Sequence, residues 1–186
     1  MVESVAVTLL PVAFLFVLFG GGALSRRRNI DMDGEAPIGK ALFLTSKYAI
    51  ILLWAAMVME AWGLHLFPLR SPEVVRKAAW GLWTIGFALL FAGRFGLGNS
   101  FRIGSPKEQT GLCTDGLFCL SRNPMYVGVY ATLLAAVLYT ANPAVLVVGV
   151  YVVAVHHRII LAEEACLRRM FGQAYEDYCL RVGRYV

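Results

Sequence analysis

The run NPMYVGVYATLLAAVLYTANPAVLVVGVYVVAV, residues 123–155, contains no charged side chain. As one straight helix it would be about 50 Å long at 1.5 Å per residue, against a hydrocarbon core of about 30 Å. It therefore does not cross a bilayer once. The break lies in TANPA, residues 140–144. Asn142 favours a turn there, and Pro143 suits the first position of a new helix, where its missing N–H costs nothing. The stretch predicts a tight helical hairpin with arms of 124–140 and 143–162. Both arms are short for a bilayer, which points to tilt or to wrapping by other helices.

Upstream of the hairpin the chain holds three more apolar blocks, 4–24, 43–67 and 75–97. Of its 186 residues 59% are hydrophobic and 16% charged, where a soluble domain has about 25% charged. Mean hydropathy is +0.65. The expectation is an all-α, polytopic membrane protein of about five transmembrane helices, folded as a single domain over 1–186 with the C-terminal hairpin last. The first block is preceded by Glu3 and followed by Arg26, Arg27 and Arg28. A signal peptide carries its positive charge the other way round, so this reads as a retained first helix. Pro11 would kink it. Trp80 and Trp83 read as interfacial anchors near the start of the third block, and Gly81, Gly86 and Gly93 as positions of close helix packing.

Five spans put loop 25–42, loop 98–122 and the C-terminal tail on one side. Those segments and their flanks hold 14 of the 17 Lys and Arg residues, with Arg70, Arg76 and Lys77 opposite. This bias predicts the N-terminus outside and the C-terminus in the cytoplasm. The net charge of +5 then reflects loops facing anionic lipid, and no nucleic-acid partner is expected. Polar groups gather at that one face, unlike a transporter with a mid-membrane site. Cys113, Cys119, Cys166 and Cys179 form no C-x-x-C pair and have no histidine cluster beside them, which reads as free thiols and no metal site.

Three places could carry chemistry. Glu163 and Glu164 follow the second hairpin arm where it should leave the membrane. They are either solvated or turned inward, and inward carboxylates want a cation or ligand hydroxyls and amines. At 100° per residue Glu163 shares a face with His156, and Glu164 with His157. Arg122, Asn123, Pro124, Met125 and Tyr126 open the first arm. Unpaired N–H groups at a helix start, with an arginine beside them, favour an anion. The same pattern also describes an interfacial arginine followed by a helix-starting proline. The preceding TGLCTDGLF, 110–118, has Gly111 and Gly116, where backbone could approach a ligand closely. Phe101, Leu112, Leu117, Phe118 and Leu120 give loop 98–122 apolar groups to bury. After the hairpin, Leu167, Met170, Phe171, Tyr175, Tyr178 and Val182 recur at helical spacing, predicting a continued or extra amphipathic helix. Glu60 reads as a packing partner of Lys47 or as an interfacial residue.

In order, TGLCTDGLF, then SRNPMYVG (121–128), then an apolar hairpin, then EEACLRRMFGQAYEDY (163–178) resembles the isoprenylcysteine carboxyl methyltransferase family and related phospholipid methyltransferases. The resemblance is carried by about 108–184; the first three blocks add only hydropathy. It implies S-adenosylmethionine-dependent methyl transfer at the cytoplasmic membrane face, releasing S-adenosylhomocysteine. The acceptor would be a lipophilic small molecule or lipidated cysteine drawn from the bilayer. Residues 98–186 would form the cofactor-binding and catalytic part. Gly111, Leu112, Cys113, Gly116 and Phe118 would line the adenosyl pocket. Asn123, Pro124, Met125 and Tyr126 would hold the cofactor at the helix start, and Glu163 its amino group or ribose. Arg122, Asn123 and Glu164 would be the catalytic set, with Glu164 bracing the site.

Two positions depart from the family pattern. The family histidine of an arginine-histidine-proline triplet is Asn123, which hydrogen-bonds but does not titrate. A carboxylate acceptor is already an ionised nucleophile, whereas an amine must lose a proton, so Asn123 favours carboxyl O-methylation over N-methylation. The arginine found in many members one turn before the Glu pair is Ile159, leaving His157 or Arg158 to grip the acceptor. Phospholipid amine methylation and a non-catalytic protein retaining the fold are the alternatives.

Overall fold

A computed structural model describes residues 2–27, 38–65, 67–98 and 111–185, with the backbone alone for 19–27. Loop positions 99–110, including Phe101, and most of loop 25–42 lie outside the described residues. The described chain is all-helical: α1 (Val2–Arg27), α2 (Lys40–Ala61), α3 (Glu73–Leu97), a short 3-10 turn (Gly116–Cys119), α4 (Pro124–Thr140), α5 (Pro143–Phe171) and α6 (Gln173–Arg181). By length and composition α2, α3 and α5 are candidate membrane spans, while α4 and residues 2–18 of α1 are shorter apolar helices. The protein is a polytopic, all-helical membrane protein.

The hairpin forms as its sequence predicts. Pro143 stands in the first turn of α5, and the Ala144 N–H donates to Asn142 Oδ1 at 2.9 Å. The left-handed residue of the turn is Ala141, at φ 47°. Asn142 is used as the cap of α5, where its side chain satisfies a free donor. Past residue 162 both expected continuations occur. α5 runs on to Phe171, Gly172 breaks it at φ +50°, and α6 follows with Tyr175 and Tyr178 buried.

α3 and α4 make the most extensive helix pairing in the bundle. Glycine permits it: a Cβ on Gly86 would lie 2.8 Å from the Gly128 carbonyl oxygen, and one on Gly128 would lie 2.7 Å from that of Gly86. Backbone meets backbone here, and a Cβ on Gly86 would also lie 2.6 Å from the Thr132 side chain. Gly93 is likewise filled, by Met125, whereas Gly81 faces open space and serves no packing. Gly128→Ala is expected to force the helices apart and destabilise the fold by about 1–3 kcal/mol, read as a lowered thermal midpoint in detergent. An unchanged midpoint would contradict the close crossing.

Trp83 is no interfacial anchor. It is fully buried, with ring centroids 4.9 Å from Phe87 and 6.3 Å from Trp54, and its indole N–H donates to the Val7 carbonyl at 3.3 Å. The rotation of α3 turns this residue to the bundle while Trp80 stays 41% exposed. Trp54 in turn donates to Thr132 Oγ1 at 3.0 Å, tying α2 to α4.

Glu60 does not pair with Lys47. Thirteen residues along one helix separate them by about 20 Å, and Glu60 instead lies 2.7 Å from His65 Nδ1. Beside it in the bundle, Tyr139 donates to Glu3 Oε1 at 2.8 Å and accepts from Arg76 Nη2 at 2.8 Å. Polar groups thus occupy both ends of the bundle, a correction to the one-sided expectation. At this end they are paired with one another and join α1, α3 and α4.

Candidate active site

At the end where α4 begins, the helices enclose a cavity of about 400 Å³. Its polar lining includes Arg122, Asn123, Tyr126, His156, Glu163 and Glu164, from the loop, α4 and α5. α1 and α2 supply much of the apolar lining, including Phe14, Leu18, Ile50 and Trp54. The first two helices, which contributed only hydropathy to the sequence reading, therefore wall the site.

The two glutamates point to different tasks. Glu164 is 1% exposed. Arg184 grips it with two parallel bonds, Nε to Oε1 and Nη2 to Oε2, each 2.9 Å. Arg122 Nη2 stands 3.4 Å from Oε1. A buried carboxylate needs such partners, and a forked guanidinium is the geometry that fits it best. That bond raises the Arg184 pKa above its ordinary value. Among the described residues no arginine pairs with Glu163; the Tyr126 hydroxyl lies 3.1 Å from each of its oxygens. It lines the cavity together with His156, as their shared helix face predicts.

Two guanidinium groups on one carboxylate leave excess positive charge. Those groups lie beside the start of α4, whose first turn has Pro124 and hence one missing donor, with the Val127 N–H the first taken, by Asn123 O at 3.1 Å. The arrangement is a cationic pole next to a helix N-terminus. Arg122 also donates to Cys179 Sγ on α6, while its Nε is buried without a partner. Glu163, on α5, brings a carboxyl group to the same cavity.

Sequence reading missed what closes this end. The C-terminal segment folds back across residues 121–123. The Arg122 N–H donates to Gly183 O at 3.0 Å, while Ser121 Oγ and Asn123 Nδ2 donate to Arg184 O at 3.3 and 3.2 Å. The amide of Asn123 is thus engaged in holding the tail, although the residue also lines the cavity. The Glu pair signalled that a cation was wanted, but nothing in the sequence singled out Arg184 as one of its sources.

Gly111, Leu112, Cys113, Phe118, Pro124, Met125 and Tyr126 all line the cavity. Phe118 is buried, and its carbonyl accepts from Tyr178 Oη at 2.6 Å; burial pushes the Tyr178 hydroxyl up to about 12. Gly116 is outside the lining, and its φ of +61° shows a turn requirement rather than close approach to a ligand. Leu120 is 71% exposed and buries nothing. His157 and Arg158 are not among the cavity residues either. His157 Nδ1 lies 2.6 Å from Tyr185 Oη on the tail, and Arg158 is exposed.

The chain belongs to the phospholipid methyltransferase family, whose model matches residues 75–174. That family includes the isoprenylcysteine carboxyl methyltransferases. The match begins in α3, well before the stretch on which the sequence resemblance rested. No curated protein matches the chain. The family makes this a membrane methyltransferase.

Proposed function

We propose that the protein methylates a lipophilic acceptor with S-adenosylmethionine at the cytoplasmic membrane face, and that the reaction is carboxyl O-methylation of an isoprenylcysteine-like substrate. One observation carries the reading. A single cavity of about 400 Å³ is lined by Arg122, which shares Glu164 with Arg184, by the Glu163 carboxyl group, and by apolar walls. The cofactor is an amino acid joined to a nucleoside, and those features fit its carboxylate, its ammonium and its adenosine. The partnerless Arg122 Nε is a donor suited to the carboxylate. The cavity volume also falls within the usual ligand-pocket range of about 300–1,000 Å³.

When bound, S-adenosylmethionine supplies an electrophilic methyl group on a sulfonium. The residues of the chain bind, orient and exclude water. Arg122 and the first turn of α4 would hold the carboxylate, and Glu163 the ammonium or ribose. Gly111, Leu112, Cys113 and Phe118 would flank the nucleoside. Glu164 would act at one remove, fixing Arg122 through charge. An ionised carboxylate acceptor needs no base, which agrees with Asn123 being committed to the tail. The positive loops and tail put the C-terminus and this end of the bundle in the cytoplasm, with the N-terminus outside.

Calorimetry in detergent with S-adenosylhomocysteine tests the reading, with micromolar binding expected. Absence of binding at millimolar ligand would remove it. Labelled methyl transfer to a prenylcysteine acid is then expected to exceed transfer to phosphatidylethanolamine. The reverse result would assign the amine N-methylation that the family equally accommodates.

A further inference from the structure

Two polar groups of the cavity have no part in holding the cofactor. One is His156 on α5, 5% exposed, its Nδ1 buried without a hydrogen-bond partner. Its ring stands edge-on to Tyr126, centroids 5.5 Å apart. A ring nitrogen that has left water and gained no partner is costly. The cavity it lines is where a partner can come from.

The other group is Lys47 on α2. Its Nζ lies 3.9 Å from the centroid of Phe43, and Phe43 packs against Val155 and Ile159. Ile159 is 2% exposed and offers an anion nothing. The neighbouring helix instead brings a cation over the ring that covers this residue, and that cation lines the same cavity as His156 and Glu163. Lys47 also begins a stripe. Ile50, Ile51 and Trp54, at three, four and seven positions further along α2, line the same cavity. That spacing is one helix face.

We propose that Lys47 and His156 form the head-group subsite for an anionic amphiphile, a carboxylate or a phosphate. The ammonium neutralises the anion, the Nδ1–H tautomer of the imidazole donates to it, and the hydrocarbon chain runs from there along Ile50, Ile51 and Trp54. Glu163 lines the same cavity, so the anion binds best with the positively charged methyl donor present. The proposal rests on the methyl-transfer reading for the cavity's purpose and names the acceptor's charge and the groups that recognise it.

The test is equilibrium binding in detergent without cofactor, using two matched pairs: N-acetyl-S-farnesylcysteine against its methyl ester, and dodecyl phosphate against dodecanol. The wild-type protein is expected to prefer one or both anions over the neutral partner by about tenfold. Preference in the first pair names a carboxylate source, and in the second a phospholipid source. Lys47→Met and His156→Phe are each expected to bring the ratio close to one, and Lys47→Arg to keep it. S-adenosylhomocysteine binding within about twofold of wild type shows that the variants fold and tests the cofactor reading separately. A wild-type ratio near one in both pairs overturns the subsite. Retention of the ratio in either variant removes that residue from it.

Discussion

Glu164→Ala is expected to destabilise the folded protein by on the order of 3–5 kcal/mol, the usual cost of removing one member of a buried ion cluster. The size follows from what is left behind. Arg184 would lose both of its 2.9 Å bonds, and Arg122 its ion pair at 3.4 Å. Two guanidinium groups would then face each other with no intervening charge. The tail would lose its Arg184 anchor and keep the bonds from residues 121–123 and the His157–Tyr185 contact. Thermal unfolding in detergent and limited proteolysis of the C-terminal segment read the two effects. Arg184→Ala should cost less, because Glu164 retains Arg122. A Glu164→Ala variant with an unchanged midpoint and a protected tail would mean that the cluster contributes nothing to the fold.

Glu163→Gln should do the opposite: leave the fold intact and weaken S-adenosylhomocysteine binding about 10- to 100-fold, as expected for loss of a charge-assisted hydrogen bond in a shielded site. Glutamine still accepts from the Tyr126 hydroxyl, so the local hydrogen bond at 3.1 Å survives while the charge goes. Glu163→Ala removes both and should bind no better. Calorimetry on the two variants beside wild type measures this. Normal affinity in both would place the ammonium elsewhere in the cavity. The contrast between adjacent glutamates is the sharper result: one variant unstable, the other stable and weakly binding.

The hairpin and the positions of the Glu pair were legible because they depend on neighbours in sequence. Charge-free length, Asn142, Pro143 and a 100° step per residue suffice for them. The same step put Glu163 on the face of His156, and the structure brings those two together. Assigning the acceptor's grip to His157 went against that phase, since His157 turns instead to Tyr185. Trp83 was misplaced because hydropathy does not reveal which way an all-apolar helix is rotated. Lys47, the walls given by α1 and α2, and the pairing of Arg184 with Glu164 all depend on contacts between segments distant in sequence. No local pattern reports them. Gly86 was marked as a packing position, but its partner Gly128 becomes evident only once α3 and α4 are laid side by side.

The tail has a consequence for biogenesis. A ribosome makes Arg122 and Glu164 before it makes Arg184. Until then Glu164 has one counter-charge, and Ser121 and Asn123 lack the carbonyl they hold. Folding back of residues 183–185 therefore completes the ion cluster only after the segments it joins have been made, an order that separates helix formation from closure of this end.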